Sequence, residues 1–259
     1  MVINSDDKVC VIGLHRSGTS TIASALSTIK RKYCGEITSA VDFVKSSFPL
    51  DTPQFPYFTP WQELYSAKYP GIKKYESIIK RFEYVDQSST PVVYKILVNE
   101  LSDRSAEEID HIKDTMLNHK VVFCVRPFRD IIISLLTRPA IRHWLVANKH
   151  HNVWPNGVEK DKFTDAITIN VPYNKKLIEQ VITQKPKHIH MMKHMKEFVA
   201  NTPNHVTINY QKDLENHEWL KPFYDQSNQQ YVKNPFVCTF DYDVDAIIDQ
   251  IKNKCNYWY

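Results

Sequence analysis

The sequence predicts an α/β fold, a central parallel sheet flanked by helices in a single domain over residues 1–259. Three observations carry this. Apolar runs recur with no polar alternation, as in strands buried on both faces. Each run is followed by a segment with helical apolar spacing. Only five glycines and no internal period leave no room for a repeat architecture. Strands alternating with helices imply right-handed crossovers in a parallel sheet.

The first unit is "KVCVIGLHRSGTSTIASAL", Lys8 to Leu26. Lys8–Gly13 reads as a buried strand, and Ile22, Leu26 and Ile29 mark one face of the helix that follows. Ser17, Thr19 and Ser20 are its candidate caps. "PVVYKILV" (Pro91–Val98) and "KVVFCV" (Lys120–Val125) are the next strands, followed by helical patterns over Ser105–Leu117 and Asp130–Leu136. "HVTINY" (His205–Tyr210) is a fourth strand, preceded by a helical region from Asn174 to Ala200 that Pro186 is expected to divide. Val244–Lys254 reads as a terminal helix. Ser46–Pro70, rich in prolines and aromatics, and His143–Lys160 read as irregular excursions.

Composition narrows the function classes. A net charge of +4 suits a protein that handles small anions, without the dense basic tracts of a nucleic-acid binder. No apolar run reaches the roughly 18–20 residues that cross a bilayer, and the amino terminus carries no signal-like segment. The five cysteines (Cys10, Cys34, Cys124, Cys238, Cys255) are scattered without CxxC spacing, which predicts reduced thiols in a cytoplasmic protein. His190 and His194 stand four apart without a third metal ligand, and no metal is expected.

The loop between the first strand and helix has the glycine separation of a Walker phosphate loop at Gly13 and Gly18, with Ser20 in the hydroxyl position. Thr19 stands where the lysine belongs, and no apolar run ending in aspartate supplies a second magnesium ligand. A helix amino terminus after a buried strand still offers free N–H groups and a positive dipole end to a tetrahedral anion.

Arg16-Ser17-Gly18-Thr19-Ser20 resembles the 5′-phosphosulfate loop of the PAPS-dependent sulfotransferase superfamily, whose bacterial members "GLHRSGTS" is most like. PAPS is 3′-phosphoadenosine 5′-phosphosulfate. In "CVRPFRDIIISLLTR", Arg126 ends a strand and Ser134 follows eight residues later, the arrangement with which that family holds the 3′-phosphate. The proline of the family string is displaced by one position, at Pro127. Arg138, one helical turn beyond Ser134, shares its face and is expected to address the same phosphate. "INYQKDL" (Ile208–Leu214) is similar to a Tyr-Glu-Asp-Leu signature with one residue inserted, which gives Tyr210 a place near the nucleotide.

The resemblance implies a P-loop-like sulfotransferase fold and transfer of a sulfuryl group from PAPS to an acceptor hydroxyl, with release of 3′-phosphoadenosine 5′-phosphate (PAP) and no metal. Arg16 would stabilise the leaving phosphate, with Ser17, Gly18, Thr19 and Ser20 binding it. Lys95, a charge inside an apolar strand, matches the catalytic-site lysine of several branches; a snorkelling structural lysine is the other reading. "YCGEITS" resembles the segment that carries the base in tyrosylprotein sulfotransferases and makes Glu36 the candidate general base, with Asp42, Glu63 and His15 left open. Saccharide, lipid, phenol and peptide tyrosine are the acceptor classes left open. Lys30-Arg31-Lys32 hints at an acidic one, or is a solvated helix end. A kinase with a degenerate Walker loop, and an inactive PAP-binding homologue, are the alternatives.

Overall fold

The computed structural model describes residues 3–27, 31–48, 61–148, 165–209, 235–256 and 258. Five parallel strands form the central sheet: β1 (Val9–Gly13), β2 (Lys32–Glu36), β3 (Val92–Leu97), β4 (Lys120–Val125) and, later in the chain, β6 (His205–Asn209). Their spatial order is β2-β3-β1-β4-β6, so β1 is central. The chain leaves β1 towards β2 through α1 (Thr19–Leu26), and the segment from β3 to β4 crosses to the other side of β1. The crevice between the carboxyl ends of β1 and β4 is therefore the topological switch point, where open α/β sheets take their ligands.

One face of the sheet buries Val9, Val11, Val93, Val122 and Cys124 against Ile22, Ala23 and Leu26 of α1. The other buries Cys10, Ile12, Tyr94, Ile96 and Phe123 under α4 (Ile78–Asp86), α6 (Ala106–Leu117), α7 (Phe128–Ala147) and α8 (Lys175–Ala200). Both faces are dry, which is why the strands read as unbroken apolar runs. Ser105 and Glu108 close a reciprocal capping box on α6. The short α2 (Ala40–Ser47) packs on β2 and α5 (Val98–Leu101) on α8, with α3 (Trp61–Lys68) between them in the chain. A second, two-stranded parallel sheet pairs β5 (Ile167–Val171) with β7 (Phe236–Phe240) beside α7, and α9 (Val244–Lys252) follows.

Several expectations are corrected. Pro186 does not divide its region, for α8 runs through it. Ile178 and Val181 before the proline, and Ile189, Met192, Met195 and Val199 after it, are all buried. At about 1.5–3 kcal/mol each they outweigh the roughly 3 kcal/mol that an internal proline costs. Likewise α7 extends through Pro139 to Ala147, well beyond Leu136 and into the second excursion. Ser46–Pro70 holds the end of α2 and all of α3, and its residues 49–60 lie outside the described ones. Strand β2 was not foreseen, because Gly35 (φ 72°) and a bulge between Tyr33 and Glu36 interrupt its pattern.

Among the described residues no helix is long and apolar enough to cross a membrane, and no group of three or more His, Cys, Asp or Glu is placed to hold a metal. The five cysteines are free thiols.

Candidate functional site

The loop after β1 turns back on itself over the switch point. Ser17 donates from both its backbone N–H (3.0 Å) and its hydroxyl (2.6 Å) to the Leu14 carbonyl, closing a tight bend. That bend presses the loop onto β4: a Cβ on Gly13 would lie 2.8 Å from the Cys124 carbonyl oxygen, so only glycine fits. At its tip, Arg16 has φ 76°, the one non-glycine residue with positive φ among the described residues. A strained arginine at the mouth of a switch point is the kind of outlier found at ligand sites.

Helix α1 begins at Gly18 (φ 90°) with no side-chain cap. The expected caps are thus corrected: Ser17 is spent on Leu14, and the helix takes a left-handed glycine instead. Its first amides and positive dipole end face the crevice without a serine or threonine competing for them.

The residues expected at the two ends of the nucleotide come together around this loop. Arg16 Nε donates to Ser134 Oγ on α7 (3.0 Å), and Arg126, at the end of β4, donates to the Arg16 carbonyl (3.0 Å). On the other side, Lys95 Nζ donates to Ser20 Oγ (3.1 Å) and pairs with Glu36 Oε2 (3.1 Å). This pairing follows from sheet register, since Glu36 and Lys95 are cross-strand partners. The lysine is therefore not a snorkelling surface residue; it bridges the loop hydroxyl to the carboxylate.

Glu36 sits at a bulge that several groups hold in place. Its N–H donates to Asp42 Oδ2 (2.6 Å), and Arg81, which is 1% exposed, donates to the Ile37 carbonyl (2.6 Å). Burial, with Glu100 adding to it, pushes the Glu36 carboxyl up to about 7 against the pull of Lys95. Of the open alternatives, Asp42 is committed to holding the Glu36 backbone, and Glu63 falls in α3. His15 is driven down to about 3 by burial and by Arg16, Arg138, Lys185 and Lys95, which leaves it too weak a base to take a proton near neutrality. Its N–H donates to the Asn99 side chain (3.0 Å), so it shapes the loop.

Sequence reasoning missed three of these groups. Asn99 and Glu100 lie directly after a strand that was identified, and the position alone was their signal. Lys185 gave none, because only the packing of α8 against the loop brings it to His15. Tyr210 and the segment to Leu214 lie outside the described residues, as does Lys30. Of the basic cluster, Arg31, 1% exposed, donates to the carbonyls of Asn4, Asp7 and Leu26, and Lys32 to that of Ser47, so these two side chains are spent on the backbone. His190 and His194 are hydrogen-bonded to one another on an exposed face (2.9 Å), without a third ligand among the described residues.

The site is a net-cationic crevice with one buried carboxylate at its edge, suited to an oxyanion at a helix amino terminus with a proton acceptor beside it. No model of a known family and no curated protein matches this chain.

Proposed function

We propose that the chain is a PAPS-dependent sulfotransferase of P-loop-like fold, acting on an acceptor hydroxyl. The observation that carries this reading is the placement of Lys95, which ties the phosphate-loop hydroxyl of Ser20 to Glu36. Loop, cation and base thus form one constellation. The residues fit the donor: a glycine-lined bend, uncapped amides, and the cations Arg16, Arg126 and Arg138 suit a ligand with a charge at each end.

PAPS supplies the sulfuryl group and leaves as PAP. Arg16 and the first-turn amides of α1 hold the negative charge that grows on the leaving phosphate oxygen; being fixed, they need no reorganisation. Arg126, Ser134 and Arg138 orient the far end of the nucleotide, and Tyr210 is assigned to the same ligand from the sequence. Glu36 takes the proton from the acceptor hydroxyl as the oxygen–sulfur bond forms, and at about 7 its proton affinity suits a base working near neutrality. Lys95 holds that carboxylate in place and places a positive charge between base and loop.

The test is thermal stabilisation. PAP without magnesium, at a hundred times its dissociation constant, is expected to add about 2.7 kcal/mol, and ATP with magnesium none. Arg126→Ala and Ser134→Ala should each abolish or weaken the PAP effect. Protection by magnesium ATP alone would replace this reading with a kinase. If turnover is then found, the rate should rise with pH through about 7, as Glu36 loses its proton, and E36Q should remove that limb.

A further inference from the structure

Helix α8 carries a pair of histidines that the sulfotransfer reading leaves unused. His190 and His194 stand one turn apart on its exposed side, and their rings meet edge to face, with 87° between planes and 4.5 Å between centroids. Their Nε2 atoms lie 2.9 Å apart, one donating a hydrogen bond to the other. The backbone beneath them is fixed, because Ile189, Met192 and Met195 are buried on the other side of the same turns. The two rings are thus held side by side before any ligand arrives, and the His194 side chain is 55% exposed.

The separation of the two nitrogens selects a geometry. With metal–nitrogen bonds of about 2.0–2.1 Å, imidazoles at a right angle place their nitrogens about 2.9 Å apart, and at a tetrahedral angle about 3.3 Å. The observed 2.9 Å is the right-angle bite, with a shared proton now standing where an ion would bridge. A tetrahedral structural site would also call for further protein ligands, and no group of three is placed to supply them among the described residues. A tetragonal ion needs only the pair and fills its other positions with water.

Glu197, on the next turn, prepares the pair. Its Oε2 stands 4.0 Å from His194 Nδ1. A carboxylate on that side draws the ring proton to Nδ1 and leaves the Nε2 lone pair for a metal, as behind ligating histidines generally. The lysines on this stretch are opposed by acids, Lys193 by Glu197 (3.9 Å) and Lys187 by Asp103 (2.5 Å).

We propose that His190 and His194 chelate a divalent transition-metal ion of tetragonal preference, such as copper(II), through their two Nε2 atoms. The ring that now donates moves its Nε2 proton to its own Nδ1, so that both lone pairs face the ion and no net proton is released from neutral rings. The site is independent of the sulfotransfer reading and plays no part in that reaction.

The experiment is calorimetric titration of copper(II), delivered as its glycine complex, into the full chain near neutral pH, with electron paramagnetic resonance of the loaded protein. Wild type is expected to bind one more copper(II), in the micromolar range, than H190Q or H194Q does; other copper sites on the chain are common to all three. Each variant should weaken this site at least tenfold and remove an axial signal coupled to two nitrogens. Zinc should bind there at least tenfold more weakly than copper. E197Q should weaken copper severalfold without changing the number bound. Saturating copper should raise the melting temperature of wild type more than that of either histidine variant. Without copper the three should melt alike, since both positions are exposed. Equal copper binding by wild type and the variants overturns the proposal, as does loss in only one of them. Zinc bound as tightly as copper overturns the tetragonal assignment.

Discussion

The two ends of the central sheet use cationic side chains in opposite ways. At the amino end of the strands, Arg31 is buried and donates to three backbone carbonyls, Lys8 donates to the Asp86 carbonyl, and Lys32 to that of Ser47. Tyr94 and His119 share a buried hydrogen bond of 2.8 Å, and Asp86 stands 3.5 Å from the imidazole's other nitrogen. At the carboxyl end, Arg16 is strained at a loop tip, and Arg138 and Lys185 act on His15 without an acid between them. The amino end therefore spends its charges on backbone carbonyls, and the carboxyl end gathers like charges around one loop, with Glu36 paired to Lys95. Such division is expected where stability and function share one sheet, since unmatched like charges cost stability.

The largest expected effect comes from breaking the amino end. Arg31→Ala removes a guanidinium that is 1% exposed and strands the carbonyls it satisfies. At roughly 1–3 kcal/mol for each buried acceptor, and with part of the loss recovered by water, destabilisation should be about 3–4 kcal/mol. Urea unfolding measures it. PAP should still raise the midpoint of the variant by the wild-type increment. A variant as stable as wild type, or one that loses PAP selectively, would erase the contrast between the two ends.

A somewhat smaller effect should appear with pH. Burial holds His119 near 4 in the folded protein against 6.5 unfolded, with nearby Lys8 contributing. Between these values the unfolded chain binds more protons, so stability is full above about pH 6.5 and drains as pH falls towards 4. At 1.36 kcal/mol per unit this one imidazole accounts for about 3 kcal/mol. His15 and His188 add losses of the same sign. His119→Gln should flatten the slope of unfolding free energy against pH over that window, whatever its stability at neutral pH. An unchanged slope would mean that His119 is not held neutral by its burial.

The sheet was legible because burial on both faces leaves so plain a mark: β1, β3, β4 and β6 stand where apolar runs predicted them, and α6 begins at a capping box. Strand β2 was not legible as a strand, because the glycine and bulge that present Glu36 are what break its pattern. Its signal in the sequence is the chemistry of Glu36. Pro186 misled for a similar reason: a local rule about proline was outweighed by long-range packing that sequence spacing does not weigh. Arg31 and Arg138 look alike in the sequence, and only their neighbours distinguish a guanidinium that staples three carbonyls from one that stands in a cluster of like charges.

That difference sets up the smallest stability effect and the sharpest form of the comparison. Arg138 is half-buried on α7, and among the described residues it makes no hydrogen bond or ion pair; its charge acts on His15, together with those of Arg16, Lys185 and Lys95. Arg138→Met keeps much of the stem's packing and removes a charge from a cluster of like charges. Stability should therefore move by no more than about 0.5 kcal/mol in either direction. PAP should bind about tenfold more weakly, a loss near 1.4 kcal/mol, because a guanidinium facing the phosphate is gone. Melting temperatures with and without PAP separate the two. Were R138M to cost as much stability as Arg31→Ala, Arg138 would be a staple too, and the carboxyl end would hold one cation fewer for a ligand. A variant that melts like wild type yet gains less from PAP locates the charge's purpose in binding rather than in the fold.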